Sequence, residues 1–371
     1  MTKARYIMIG GFLGAGKSTS VIRLAHHLHS QGLRVGLITN DQGAGLVDTA
    51  LMQSHGFPVE EIAGGCFCCR FTSLMEAADN LSRESRPDVF IAEPVGSCTD
   101  LVASVSYPLR RIYGDSFAIA PLSVLVDPVR ALRILGLEPG RAFSDKVIYV
   151  YQKQLEEADL IVVNKCDLLE PDRTERLRAA LVARFPRAEV LICSARYTTG
   201  LEAWFERVTR SEQDSLETIH LDYDTYAEGE ALLGWLNCTV EVSSRDPFPG
   251  DGLLSALAAD VQRQLNTRGV EIAHLKMTLS PHDESGELAV INLVRNDFVP
   301  ELSQSLSDPL ETGQLIVNLR AEAAPGQLQA VVEEALVRCS KGTEGLILSI
   351  EHLEQFRPGR PQPTYRMATM A

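Results

Sequence analysis

The stretch Gly10–Thr19, GGFLGAGKST, decides how the first half of this chain folds. Gly11 is followed by four residues and then by Gly16, Lys17 and Ser18. Before it runs the apolar RYIMIG (5–10); after it comes KSTSVIRLAHHLHSQG (17–32), in which Val21, Leu24, Ala25 and Leu28 recur at helix spacing. A strand, a glycine-rich turn and a helix in that order make a phosphate-binding loop. Backbone N–H groups cradle the phosphates, Lys17 reaches the outer ones, and the Ser18 hydroxyl can enter a Mg²⁺ shell.

Working outward, the same strand-then-helix unit recurs. RVGLITN (34–40), DVFIAEP (88–94), LSVLVDP (122–128), ADLIVVNKCD (158–167) and AEVLICSA (188–195) are β-branched and carry few charges. Such strands suit a mostly parallel sheet covered on both faces, so the spacing predicts a doubly wound α/β domain over residues 1–212. The acidic tract SEQDSLETIHLDYDTYAEGEAL (211–232) reads as a connector, placed at 213–232. Beyond it the rhythm changes. Strands are expected in WLNCTVEVS (235–243), VEIAHLKMTLS (270–280), GELAVINLVR (286–295) and GQLIVNLRA (313–321), with helices in GLLSALAADVQRQLNTRG (252–269) and GQLQAVVEEALVRC (326–339). This predicts a smaller α+β domain with a partly antiparallel sheet over 233–356. The proline-containing end, 357–371, reads as a flexible tail.

Composition narrows the function classes. The chain has 371 residues, 45% of them hydrophobic, and 49 acidic against 35 basic side chains leave a formal charge of −14. That balance argues against a large surface for nucleic acid or anionic membrane. No run of about twenty uncharged apolar residues occurs, and a cytoplasmic location is expected. Eight cysteines are too few for a disulfide scaffold in a chain of this length. Cys98, Cys193, Cys238 and Cys339 are scattered and read as packing.

Three further motifs carry chemistry. In NKCD (164–167), Asp167 can accept two hydrogen bonds from guanine, a pattern adenine does not offer, with Asn164 and Lys165 shaping the pocket; a helix-start aspartate is the alternative. Ser194 and Ala195, at a later strand end, are placed to close over the base. Glu93 ends a hydrophobic strand and is expected to hold Mg²⁺ through water or to orient the attacking water, unless it is a structural carboxylate. Gly96 lets the following loop approach the γ-phosphate. Asp41 and Asp48, in NDQGAGLVD (40–48), lie where a movable loop can approach the same phosphates. No arginine stands out as a finger. In EEIAGGCFCCRF (60–71), Cys66, Cys68 and Cys69 form a soft-metal site, a redox pair or a small-residue turn.

Together GGFLGAGKST, GGCFCC, EPVG and NKCD resemble the CobW family of P-loop GTPases, closely over about residues 5–210 and loosely beyond. The resemblance implies a GTPase domain followed by a smaller α+β domain, and a role in metal homeostasis or delivery. It matches Gly11 through Gly14, Ala15, Gly16, Lys17, Ser18 and Thr19 to the Walker A segment. It also matches Glu93 and Gly96 to the ExxG motif, and Asn164, Lys165 and Asp167 to base recognition. Cys66, Cys68 and Cys69 match its metal-binding CxCC without a gap. The family's Asn-Glu-Phe-Gly is here Asn40-Asp41-Gln42-Gly43, with a carboxylate one methylene shorter, and a histidine-rich tract is missing from the later half.

The expectation is a GTPase, binding GTP or GDP with Mg²⁺, that carries Zn²⁺ or Co²⁺ to a client metalloenzyme or a cobalamin pathway. Lys17, Glu93 and Asp41 would serve hydrolysis, and Ser18, Asp48 and Glu93 would serve Mg²⁺. A docking module that gates client activation, with structural cysteines, is the other reading, and an ATP-driven kinase-like enzyme a third. A homodimer is compatible with the sequence.

Overall fold

The computed structural model describes residues 3–40, 47–213, 218–283 and 285–367, the side chains at 48 and 50 excepted. Asp41 therefore lies outside the described residues, as does the side chain of Asp48. Two compact units are present: residues Met1–Gln42, His55–Gly229 and Arg360–Ala371 in one, and Gly43–Ser54 with Glu230–Gly359 in the other.

In chain order, the first half contains β1 (Ala4–Gly11), α1 (Lys17–Ser30), β2 (Val35–Asn40), α2 (Val47–Ser54), β3 (Val59–Ile62), α3 (Phe71–Glu84) and β4 (Val89–Glu93). Then follow α4 (Tyr107–Tyr113), β5 (Phe117–Ile119), β6 (Ser123–Val126), α5 (Pro128–Ile134), α6 (Asp145–Glu157), β7 (Leu160–Val163), α7 (Pro171–Arg184), β8 (Glu189–Ile192), α8 (Leu201–Arg210) and α9 (Tyr223–Leu232). The sheet is parallel throughout, in the order β3-β2-β4-β1-β6-β7-β8. β5 pairs with the start of β1 at Ala4–Tyr6, and β6 takes over that edge at Ile9–Gly11. The strand order reverses at β1, so the crevice for a ligand opens beyond its carboxyl end, where the glycine-rich loop begins. Ile7, Ile9, Leu37, Ile91, Val124 and Val162 are all buried, as expected of strands covered on both faces. The four-residue β3, with only Ile62 fully buried, is too short and too acidic to have stood out in the sequence.

The tract expected as a connector is more ordered than its acidity suggests. It contains α9, whose Tyr226 packs with Leu221 against Val150 of α6. Two tyrosines supply the apolar area that the charged residues lack.

The second unit contains β9 (Gly234–Phe248), α10 (Gly250–Thr267), β10 (Ile272–Pro281), β11 (Ala289–Leu293), β12 (Glu301–Gln304), β13 (Leu310–Ala321), α11 (Pro325–Gly342) and β14 (Ile347–Phe356). Its six strands run β12-β11-β10-β13-β9-β14, and every pair is antiparallel, so the expected mixture of directions resolves to one. Leu254, Leu257, Val261, Val331 and Ala335 of the two helices cover one face of this sheet. Edge strand β12 is half-buried along most of its length and β14 is largely exposed, so neither shows the alternation that reveals a strand with one buried face. Helix α2 groups with this unit: the Val47 N–H donates to Asn318 Oδ1 at 3.4 Å.

Candidate functional site

β1 delivers the chain into a turn that only glycine can make at three points. Gly11, Gly14 and Gly16 have φ of 126°, 78° and 91°. A Cβ on Gly11 would sit 2.3 Å from the Leu125 carbonyl, and one on Gly16 would sit 2.4 Å from Asn164 Nδ2. α1 then starts at Lys17, whose Nζ stands 4.0 Å from Glu93 Oε1. The Ser18 hydroxyl donates to the same Glu93 oxygen at 3.2 Å. A Cβ at Gly96 would meet Lys17 Nζ at 3.0 Å, so the space beside this amine depends on residue 96 being glycine. Lysine, hydroxyl and carboxylate thus converge at the start of a helix, a donor set that fits phosphate oxygens and a hard cation.

The NKCD segment folds onto the same loop. Asn164 Nδ2 donates to the Ala15 carbonyl at 3.0 Å, while its Oδ1 accepts from the Ala195 N–H at 2.9 Å. Lys165 is a non-glycine residue at φ 56°; from there its ammonium donates to the Gly14 carbonyl at 2.6 Å and to Asp127 Oδ2 at 3.1 Å. Asp167 Oδ1 accepts from the Ser194 hydroxyl at 2.5 Å, which fixes the carboxylate. Asn164, Lys165, Asp167, Ser194 and Ala195 are therefore together, and Asn164 and Lys165 connect this segment to the glycine-rich loop.

Sequence reasoning missed two supports. Asp127 caps α5 by accepting from the Arg130 N–H at 3.0 Å. Arg130 is buried between Phe12 and Phe143 and donates to the Leu13 carbonyl at 2.6 Å. The signal was VDPVR at a strand end, an aspartate before Pro at a helix start.

The cysteine turn lies just before α3. Gly64 and Gly65, at φ 74° and 151°, bend the chain, and Arg70 Nη2 donates back to the Gly64 carbonyl at 3.1 Å. The Cys69 and Arg70 N–H groups both donate to the Cys66 carbonyl. Asn40, the last residue of β2, clamps the turn from outside: its Nδ2 donates to the Ile62 and Gly65 carbonyls at 2.9 and 2.6 Å, and its Oδ1 accepts from the Phe67 N–H at 2.9 Å.

The three sulfurs converge. Cys66 Sγ is 2.8 Å from Cys68 Sγ and 3.2 Å from Cys69 Sγ, and the latter two are 3.7 Å apart. Tetrahedral coordination at a metal–sulfur distance of about 2.3 Å would set sulfurs about 3.8 Å apart, so the turn needs to open by less than about 1 Å to take an ion. Hydrogen bonds with Cys68, Cys69 and Cys98 draw the Cys66 thiol well below the ordinary range. The bond with Cys66, aided by burial, pushes Cys68 well up and Cys69 up to about 11.

The C-terminal residues expected as a tail cross this turn. The Gln362 N–H donates to Cys69 Sγ at 3.2 Å, Thr364 N–H to the Cys68 carbonyl at 2.8 Å and Thr364 Oγ1 to the Cys69 carbonyl at 3.0 Å. Tyr365 packs edge-on against Phe71, and Arg366 pairs with buried Asp100 at 2.7 Å. A proline-rich segment without periodicity can still order when its backbone and side chains find such partners.

The profile of the CobW/HypB/UreG nucleotide-binding domain matches residues 5–191. The chain belongs to this family. Within the CobW/HypB/UreG group it is similar to the zinc chaperone YeiR of Escherichia coli, 30% identical over 177 residues that are 46% of this chain and 49% of that protein. It is likewise similar to the zinc chaperone CobW of Sinorhizobium, 31% identical over 206 residues, 50% of this chain and 57% of that one. The chain spans about half the length of these curated relatives. Among solved structures, HypB from Helicobacter pylori in complex with nickel covers 57% of this chain and 91% of its own, at 15% identity and a TM-score of 0.42. The zinc-bound YjiA GTPase from E. coli covers 90% of this chain and 99% of its own, at 15% identity and a TM-score of 0.37.

Proposed function

We propose that this CobW/HypB/UreG protein is a GTPase that carries a soft transition-metal ion, Zn²⁺ first among the candidates, and uses nucleotide state to set how tightly it is held. The observation that carries the reading is the convergence of Cys66, Cys68 and Cys69, whose sulfurs all lie within 4.8 Å of one another. Thiolates select such an ion against Mg²⁺, which takes oxygen ligands, so cargo and cofactor sort themselves by ligand chemistry.

On the nucleotide side, Lys17 would offset charge on the transferring phosphoryl group and Asp167 would select guanine. Ser18 and Glu93 would hold Mg²⁺, which supplies charge neutralisation at the phosphates when bound. The Walker loop from Gly11 through Thr19 would wrap the phosphates. Asp41 is assigned to hydrolysis and Asp48 to Mg²⁺ on sequence position. The naming of relatives as zinc chaperones favours zinc over cobalt. The receiving partner would be a metalloprotein client. A division of labour between a GTPase domain at 1–212 and a client-recognition domain at 233–356 belongs to the same proposal.

Two links support coupling. Asn40 fixes the cysteine turn from the strand that leads into the 41–48 segment. Glu93, bonded to Ser18, begins the loop that reaches Cys98. The test is anaerobic titration of the reduced full-length protein with Zn²⁺ and Co²⁺, in GDP and in a non-hydrolysable GTP analogue with Mg²⁺. Affinities should differ by about 5–150-fold between the two states and collapse when Cys66, Cys68 and Cys69 become serine. Equal, weak binding in both states would replace metal carriage with nucleotide-gated docking on a client.

A further inference from the structure

In PQPT (361–364) prolines alternate with residues that keep an N–H. Proline and the residue before it favour extended backbone, in which N–H groups two residues apart leave the chain on the same side. Both N–H groups meet the cysteine turn: that of Gln362 donates to Cys69 Sγ at 3.2 Å and that of Thr364 to the Cys68 carbonyl at 2.8 Å. The Thr364 hydroxyl adds a bond to the Cys69 carbonyl at 3.0 Å.

On either side of these contacts the segment is tied down. Arg360 pairs with Asp224 at 2.5 Å. Tyr365 stands edge-on to Phe71, the first residue of α3, with ring centroids 5.3 Å apart. Arg366 donates to the two Asp100 carboxylate oxygens at 2.7 and 3.3 Å, and the Met367 N–H donates to the Ala103 carbonyl at 2.9 Å. Asp100 is 1% exposed, which makes this ion pair a buried anchor, whereas Gln362, Thr364 and Tyr365 stay exposed. A segment held by a buried charge pair and otherwise by exposed bonds opens locally at far lower cost than its domain unfolds.

We propose that residues 360–367 form a strap that closes the cysteine turn, latched by Arg366 on Asp100, and that the strap lifts before a metal ion or a receiving protein reaches the three sulfurs. The inference rests on reading the turn as a metal site and adds the device that controls access to it. Cys66 and Cys68 are buried, and the less buried Cys69 is the one whose sulfur the Gln362 N–H engages. A donor to a ligating sulfur steadies that ligand, so the closed strap retains the ion and the lifted strap lets it exchange. The strap meets the turn through main-chain groups, one hydroxyl and one sulfur, so substitutions in the strap can lift it while all three cysteines stay in place. Thr364 and Arg366 are thus positioning residues.

The experiment uses the reduced full-length protein and two variants: Thr364→Pro, which removes both Thr364 donors, and Arg366→Gln, which removes the charge of the latch. Metal-free samples are pulse-labelled with iodoacetamide and read peptide by peptide, with the half-buried Cys166 and Cys339 as internal controls. Labelling within Cys66–Cys69 should quicken about 10-fold in each variant while the controls keep their rates. Zinc-loaded samples are then mixed with excess chelator; zinc loss should quicken about 10-fold, with the same sulfur ligands seen by X-ray absorption before mixing. Thr364→Pro leaves the buried Asp100 paired, so it decides if Arg366→Gln loosens the fold. Labelling in Thr364→Pro within about 2-fold of the unaltered protein would overturn the strap, and so would an acceleration that Cys166 and Cys339 share. Because labelling is read without metal, failure of the unaltered protein to bind Zn²⁺ sinks metal carriage while the labelling rates still decide the strap.

Discussion

The phosphate loop and the cysteine turn are both glycine-bent segments before a helix, and they are held in different ways. Gly11, Gly14 and Gly16 set the phosphate loop from within, and Asn164 and Lys165 fasten it through backbone carbonyls. The cysteine turn is held from separate stretches: Asn40 at the end of β2, and Gln362 with Thr364 near the C-terminus. Its geometry is a tertiary product, and any of those stretches can change it. Three glycines set the bends of the phosphate loop and side chains after β6 and β7 brace it, while the cysteine turn is gripped from the end of β2 and from the C-terminal segment.

The sharpest way to break this comparison is to remove the amine of the phosphate loop. Lys17→Ala should lower GTP turnover at least about 10³-fold, since the charge it supplies acts at a water-excluded site. Zn²⁺ affinity without nucleotide should stay within about 2-fold. Turnover and metal titration on the same preparation decide it; turnover near that of the unaltered protein would remove Lys17 from the chemistry, and a parallel loss of metal affinity would show that the two regions are one structure.

A smaller effect concerns the floor beneath the Cys98 loop. Burial, and then the neighbouring Asp100 carboxylate, push the Glu157 carboxyl from the ordinary 4.5 up to about 8; Thr99 Oγ1 and the Val102 N–H offset part of this by donating to it. Asp100 is itself paired with Arg366 and Tyr223. Because the folded value lies above the free one, the folded chain keeps a proton through this window that the unfolded chain has released. Stability from this group is full below about pH 4.5, falls as pH rises, and levels off above about 8. A shift of that size sets a ceiling of about 5 kcal/mol, and a loss of about 2–4 kcal/mol is expected across the window. Glu157→Gln should flatten the decline. Urea midpoints at pH 5, 7 and 8.5 test this, and an unchanged slope would mean that the carboxyl is ionised in the folded protein at neutral pH.

Legibility in the sequence followed the same divide. The Walker loop, NKCD and the CxCC run are recognisable from their spacing alone, although what holds the cysteine turn is not, and the β-branched strands around them point to the parallel sheet. Asp127 and Arg130 support the phosphate loop from a distance, and nothing local to that loop points to them. The C-terminal segment looked loose because prolines remove periodicity, although they leave N–H groups at Gln362 and Thr364 free to pair. α9 was hidden by its acidic residues, Asp224 and Glu228 exposed and Glu230 buried, around the buried ring of Tyr226.

The mildest test acts on the outer clamp. Asn40 makes three hydrogen bonds to the backbone around the cysteines, two as donor and one as acceptor, and is itself buried. In Asn40→Ala the Phe67 N–H loses its Asn40 acceptor and the Ile62 and Gly65 carbonyls lose its donor; with water able to replace some of these, the expected cost is about 2 kcal/mol. Because the removed bonds hold the turn and none of the sulfurs directly, coordination number should be preserved while Zn²⁺ affinity falls about 10-fold, the scale of losing a group that orients ligands. Asn40→Asp separates donor from acceptor. It retains an oxygen for the Phe67 N–H but sets a carboxylate against two carbonyls, so it should be at least as damaging as alanine unless it takes up a proton. If both variants bind Zn²⁺ as tightly as the unaltered protein, the turn is shaped by Gly64, Gly65 and Arg70 alone, and the contrast with the phosphate loop disappears.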